Sequence, residues 1–318
     1  MKGDKDFPAE LYPPVEPHRQ GWLEVSGGHR LYWEISGNPH GAPAVFLHGG
    51  PGAGCAAVHR RFFDPQHYRI ILFDQRGAGR SVPSASIEEN DTPHLVDDLE
   101  ALRQHLGIER WLVFGGSWGS TLALAYGQAY PRRCTGFVLR GVFLFREAEV
   151  EWFLHLMGRI FPEAGRAFLA FLPAAERRDP LRAYYRRLCD PDPVVHLPAA
   201  QAWCGYEEAC SRMAVEPGGL RMSGAALAMA RIEAHYMINK GFIEEGRLLK
   251  NIAALHGIAA TIVQGRYDIV CPIASADALA RAWPGAAYQI VPDAGHSAME
   301  PGIRAALVTA TNRYRALA

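Results

Sequence analysis

The apolar positions of this chain gather into short unbroken runs near both ends and lose that character in the middle. Residues 44–47, 68–73, 111–114 and 136–139 are apolar at nearly every position. Short runs without alternation predict strands buried on both faces. Between them, Leu95, Leu99, Leu102 and Leu106 recur at helical spacing over 92–106, and 120–130 also reads as helix. Ahead of these lies an irregular arm, to about residue 20, carrying Pro8, Pro13, Pro14 and Pro17. Residues 21–26 and 31–35 then read as a hairpin joined at Gly27-Gly28. Strands alternating with helices predict an α/β fold with a mostly parallel sheet covered on both faces.

From about residue 143 to 249 strand-like runs vanish. Segments 147–157, 181–188, 199–212 and 225–237 read as helices, and Pro162, Pro173, Pro180, Pro191, Pro193 and Pro198 punctuate them. The alternation resumes with a strand at 260–264, a helix at 273–281, a strand at 287–291 and a closing helix at 303–317. The pattern predicts a core made of 1–142 and 250–318, with 143–249 inserted as a helical cap subdomain. No internal repeat interrupts it.

Composition changes this picture little. The 318 residues are 49% hydrophobic and 21% charged, with 33 Lys plus Arg against 33 Asp plus Glu. That balance gives no sign of nucleic-acid or anionic-membrane binding. The cysteines at 55, 134, 189, 204, 210 and 271 form no C-x-x-C pair, which leaves a zinc knuckle or thioredoxin-like site unsupported. A chain this long needs no disulfides, so they read as reduced thiols, with a Cys204–Cys210 pairing left open. No apolar run is long enough to span a bilayer, and the first residues lack a signal-peptide core. The expectation is a cytoplasmic protein.

The chemistry is concentrated in Gly115-Gly116-Ser117-Trp118-Gly119, set between a predicted strand and a predicted helix. There a G-x-S-x-G sequence means a nucleophile elbow, which lifts the serine above the sheet edge. A serine hydroxyl needs a base, and the base needs an acid to fix its tautomer. In this architecture the chain order is Ser, then Asp or Glu, then His. Asp268 follows the strand at 260–264 and His296 follows the strand at 287–291, so the expected triad is Ser117, Asp268 and His296. Asp293 competes for the acid role but would require a reach across a tight turn.

His48-Gly49-Gly50-Pro51-Gly52 follows the strand at 44–47 and has the form of an HGG-type oxyanion loop. The Gly50 and Trp118 N–H groups are the expected oxyanion donors. Neither this loop nor Gly77-Ala78-Gly79 has the full pattern of a phosphate or dinucleotide loop, and no H-E-x-x-H metal motif occurs. No metal or organic cofactor is expected.

Taken together, these segments resemble the proline iminopeptidases (prolyl aminopeptidases), enzymes of the α/β-hydrolase fold. The resemblance spans nearly the whole chain. It also rests on Asp74-Gln75-Arg76-Gly77-Ala78-Gly79-Arg80-Ser81, Ala230-Arg231-Ile232-Glu233-Ala234-His235-Tyr236, Gly265-Arg266-Tyr267-Asp268 and Gly295-His296-Ser297. It implies release of proline from the amino end of small peptides, the same triad order, and a helical cap. It further implies that Glu207 and Glu233 hold the substrate's free amino group, with Glu208 and Glu244 as weaker competitors. Phe143, Tyr236, Trp203 and Trp118 are the aromatic candidates for the proline-ring slot. Two departures are visible: Ala78 stands where the family often has Cys, and Tyr206 turns W-x-x-W-E into W-x-x-Y-E. Two rivals remain open on sequence alone. One is a carboxylesterase or amidase of the same fold. The other is a non-catalytic binding protein, which the intact Ser, Asp and His argue against.

Overall fold

A computed structural model describes residues 10–213 and 225–316. Its strands are β1 (Pro17–Glu24), β2 (Arg30–Gly37), β3 (Ala42–Leu47), β4 (Tyr68–Phe73), β5 (Trp111–Gly116), β6 (Cys134–Arg140), β7 (Ala260–Gly265) and β8 (Ala287–Val291). They form one sheet in the order β1-β2-β4-β3-β5-β6-β7-β8. β2 runs antiparallel to both β1 and β4, and every pairing from β4 to β8 is parallel. The unbroken apolar runs are explained by two-sided burial. Val45, Leu47, Ile71, Phe73 and Val113 face one core with Leu95, Leu99 and Leu122. Their neighbours Phe46, Ile70, Leu72, Leu112 and Phe114 face the other with Phe62, Leu307 and Tyr314.

The main helices are α1 (Thr92–His105), α2 (Trp118–Ala129), α3 (Glu147–Glu151), α4 (Pro162–Ala170), α5 (Pro180–Leu188), α6 (Pro193–Cys210), α7 (Ala225–Ile238), α8 (Arg247–Lys250), α9 (Ile273–Ala282) and α10 (Pro301–Arg313). Among the described residues, no strand falls between β6 and β7. Several prolines there start helices rather than end them. Pro180 and Pro193 occupy first turns whose N–H groups lack partners anyway. The carboxylates of Asp179 and Asp192 cap those turns by accepting from Arg182 N–H and Val194 N–H.

The structure differs from the sequence pattern in four places. β1 begins at Pro17, inside the expected arm, because residues from Arg19 to Glu24 pair with β2. α6 begins six residues before the expected 199 and runs through Pro198, which forfeits one backbone hydrogen bond. The expected helix at 147–157 stays regular only to Glu151 and then loosens into a wide π turn over Trp152–Leu156. The indole of Trp152 leaves that turn to donate to Ile269 O at 2.6 Å. Finally, α4 was not legible, since Pro162 reads equally as a break. The end of the expected 303–317 helix lies outside the described residues at 317.

Parallel register carries the strand ends to one edge. Leu47 pairs with Gly115, Gly116 with Arg140, and Gly265 with Val291. The segments that follow β3, β5, β6, β7 and β8 therefore emerge side by side, where an open parallel sheet places its ligands.

Candidate active site

Ser117 occupies the turn between β5 and α2 with φ 57° and ψ −127°. A non-glycine residue there stores about 1–3 kcal/mol of strain. The surroundings hold it. Ser117 N–H donates to Arg140 O at 2.8 Å, while Ser117 O accepts from Ser120 N–H at 2.8 Å and from Ser120 Oγ at 2.7 Å. The flanking glycines are needed for closeness. A Cβ on Gly115 would run into the Gly119 carbonyl, and one on Gly119 into the Leu47 carbonyl.

Asp268 lies in the turn after β7 and is buried with His296. His296 Nδ1 is 2.9 Å from Asp268 Oδ2 and 3.0 Å from Oδ1. The carboxylate also accepts from Cys271 N–H at 2.8 Å and from Gln264 Nε2 at 3.0 Å. A carboxylate accepts only, so the ring proton belongs on Nδ1 and Nε2 carries the lone pair. Asp293 is exposed.

Two residues missed in the sequence complete this corner. Arg140 Nη1 donates to His296 Nε2 at 3.1 Å and to His296 O at 2.9 Å. Burial depresses the Arg140 pKa, opposed chiefly by the Asp268 charge. Ser117 Oγ lies 3.9 Å from Cys271 Sγ and makes no direct hydrogen bond to His296 in this arrangement. Arg140 carried one signal, a lone charge ending an apolar strand. Cys271 carried none, since a single cysteine in a loop has many readings.

The loop after β3 passes close over the serine. A Cβ on Gly49 would lie 3.4 Å from Ser117 Cβ and 3.9 Å from its Oγ. Gly50 has φ 103°, a conformation suited to glycine. Gln75 N–H donates to His48 Nε2 at 3.0 Å. His48 Nδ1 lies 3.0 Å from Gly49 O and 3.2 Å from Gly54 N, so the ring is held from both sides. Burial lowers the His48 pKa, consistent with a neutral ring that pins the loop. Farther along, a Cβ on Gly52 would lie 2.7 Å from Ala228 O, so the loop also abuts α7.

Glu207 on α6 and Glu233 on α7 are 7% and 4% exposed. Each bears on the other's ionisation, so the two carboxyls do not lose their protons independently. Burial pushes Glu207 up to about 7, with the Glu208 charge raising it further and Arg140 lowering it. Burial and then the Glu207 charge hold Glu233 well above the usual range. Trp203 Nε1 donates to Glu233 Oε2 at 2.6 Å, whereas the buried Glu207 Oε2 finds no hydrogen-bond partner among the described residues. Glu208 is exposed, and Glu244 sits at the surface 3.9 Å from Lys250.

The aromatic candidates separate by environment. Phe143 follows β6, donates its N–H to Ser120 Oγ at 3.0 Å and packs on Phe145. Trp118 and Tyr236 meet edge to face at 4.7 Å, and the Tyr236 hydroxyl reaches Asn90 Oδ1 at 3.1 Å. Trp203 is fully buried among Phe153, Phe168 and Tyr184.

Residues 43–302 match the family model described as alpha/beta hydrolase fold. The chain is 51% identical to the proline iminopeptidase of Arabidopsis thaliana, over 96% of this chain and 82% of that one. It is 51% identical to the proline iminopeptidase of Xylella fastidiosa strain Temecula1, over 96% and 99%. With that of Neisseria gonorrhoeae it shares 46%, over 94% and 97%. Among solved structures, an esterase from Exiguobacterium antarcticum superposes with a TM-score of 0.59 at 17% identity, covering 93% of this chain and 98% of that one. At that identity the likeness speaks for the fold alone.

Proposed function

The chain belongs to the proline iminopeptidases of the alpha/beta hydrolase fold, and from that membership we propose that it is a serine exopeptidase releasing proline from the free amino end of small peptides. The observation that carries the specificity is the buried Glu207–Glu233 pair with its unpartnered Glu207 Oε2. A lone carboxyl oxygen in such a place costs energy unless something donates to it. A prolyl ammonium brings two donors and a positive charge. That the acidic pair faces the Asp268–His296 corner is part of this reading, supported by the Arg140 charge, which bears on both Glu207 and Asp268. An amino-blocked peptide would leave the pair unmatched, which makes the enzyme an exopeptidase.

In the reaction, Ser117 Oγ attacks the prolyl carbonyl while His296 Nε2 takes its proton. Reaching Nε2 requires Oγ to turn away from Cys271 and Arg140 to release the ring nitrogen. Hydrogen bonds of this kind often tighten only with substrate bound. Asp268 keeps the Nδ1 tautomer and favours the imidazolium that forms. The Gly50 and Trp118 N–H groups receive the oxyanion. His296 then protonates the departing amine, and water repeats the cycle to free proline. Phe143, Tyr236, Trp203 and Trp118 are the proposed surroundings of the pyrrolidine ring. The helical segment 143–249 acts as the cap that carries the acidic pair. All six cysteines are unpaired, which suits a reducing cytoplasmic setting.

The test is release of the reporter amine from proline β-naphthylamide, beside the amino-acetylated compound, alanine β-naphthylamide and a Ser117→Ala control. Turnover of the free proline compound, abolished in Ser117→Ala, is expected. Rapid hydrolysis of neutral esters with no turnover of the proline compound would replace this reading with an esterase.

A further inference from the structure

We propose that Gln75 is a positioning residue that spans the two halves of the oxyanion site and holds them in register. The proposal rests on the reading above that the Gly50 and Trp118 N–H groups are the oxyanion donors. Those donors come from unconnected segments, the loop after β3 and the first turn of α2. Their spacing must be kept to a fraction of an ångström for both to point at one oxygen. Something has to tie the segments together, and the Gln75 amide does so.

Gln75 follows β4 and is almost fully buried. Its Nε2 donates to His48 O at 3.0 Å. Its Oε1 accepts from Trp118 Nε1 at 2.8 Å. The orientation of the amide is unambiguous, because an indole N–H only donates and a carbonyl only accepts. The backbone adds a third tie, from Gln75 N–H to His48 Nε2 at 3.0 Å. His48 immediately precedes the loop glycines, and Trp118 immediately follows Ser117. One side chain thus links the residue before the first donor segment to the residue that supplies the second donor.

Few other side chains could serve. Glutamate would keep an acceptor for the indole but set an acceptor against the His48 carbonyl. Methionine would match the volume and lose both bonds. Both substitutions leave Ser117, Asp268, His296 and the acidic pair in place. The effect should therefore fall on transition-state stabilisation rather than on substrate binding.

The experiment uses full-length Gln75→Met and Gln75→Glu, with Tm recorded and rates expressed per folded molecule. Two rates are read: kcat and KM on proline β-naphthylamide, and the second-order labelling of Ser117 by a fluorophosphonate. The label forms a tetrahedral adduct at Ser117 without needing a free amine. The expected result is a fall in kcat of roughly tenfold or more, KM within about twofold, and a parallel fall in labelling rate. In a Trp118→Phe background, the Gln75→Met effect should shrink, since one end of the bridge is already gone. Unchanged kcat and labelling in folded Gln75→Met would overturn the proposal, as would a loss confined to KM or to Tm. If Gln75→Met does not fold, Gln75→Glu decides by the same criteria. Should wild-type protein label at Ser117 yet fail to turn over the proline compound, the peptidase reading fails. The labelling rates would still judge Gln75 separately.

Discussion

Asp268 presents both carboxylate oxygens to His296, at 2.9 and 3.0 Å from Nδ1. Gln264 Nε2 and Cys271 N–H hold that carboxylate from behind, so it cannot swing away from the ring without breaking two more bonds. Asp268→Asn would keep the shape and set an amide against Nδ1. An amide that donates there forces the ring proton to Nε2, leaving no base for Ser117. The expected outcome is a loss of roughly 10⁴ in kcat with the fold intact. A loss smaller than about tenfold in steady-state kinetics would remove Asp268 from the acid role.

The acidic pair makes a prediction about stability as well as binding. Glu207 rises from its usual 4.5 to about 7 when the chain folds, and Glu233 rises well above the usual range. Above pH 4.5 the unfolded chain has released protons that the folded pair still holds. The unfolded state then binds fewer protons, so this pair lowers stability as pH rises through that window. The penalty belongs to the pair, since the two carboxyls titrate together. Glu207→Gln should therefore stabilise the ligand-free protein at pH 8 more than at pH 5. Urea midpoints of both proteins at the two pH values give the answer. Equal differences at both would mean that the pair carries no such penalty.

The same group should set how tightly substrate is held. A prolyl ammonium pairs best when Glu207 is ionised, a state gained as pH rises through about 7. KM for proline β-naphthylamide should fall across that range in the wild type. In Glu207→Gln it should be higher by roughly tenfold or more, as expected for a lost charge-assisted hydrogen bond, and its pH dependence should flatten. A KM that follows the same pH curve in both proteins would assign the amine to another partner.

These predictions draw unevenly on the sequence. The strand runs and the G-x-S-x-G turn were legible because two-sided burial and a forced backbone leave little choice of residue. Asp268 and His296 were legible by position, each one loop past a strand. The helix opening at Pro193 was harder to bound, since a proline reads equally as the end of one segment and the start of the next. The π turn at Trp152–Leu156 was invisible, because apolar spacing does not distinguish it from regular helix, and the Trp152 indole there bonds a residue more than a hundred positions away. Arg140 and Gln75 escaped for a similar reason. Their roles lie in what they touch across the sheet edge, and no local pattern encodes a contact with His296, His48 or Trp118.

Gly119 offers a test in which two physical effects oppose each other. It lies in the first turn of α2, where exchanging Gly for Ala ordinarily favours a helix by up to about 1 kcal/mol. Here the added Cβ would collide with the carbonyl oxygen of Leu47, with the His48 carbonyl oxygen only 3.2 Å away. The Leu47 carbonyl ends β3, where Leu47 pairs with Gly115 of β5, so it cannot rotate aside. Steric cost should win, with Gly119→Ala destabilised by on the order of 3 kcal/mol. The displacement would also push apart the loop at Gly49 and the turn at Ser117, so activity per folded molecule should fall with stability. Urea unfolding and fluorophosphonate labelling measure the two effects independently. A variant as stable as wild type would mean that β3 and α2 have room to separate, and the close approach argued for this elbow would be wrong.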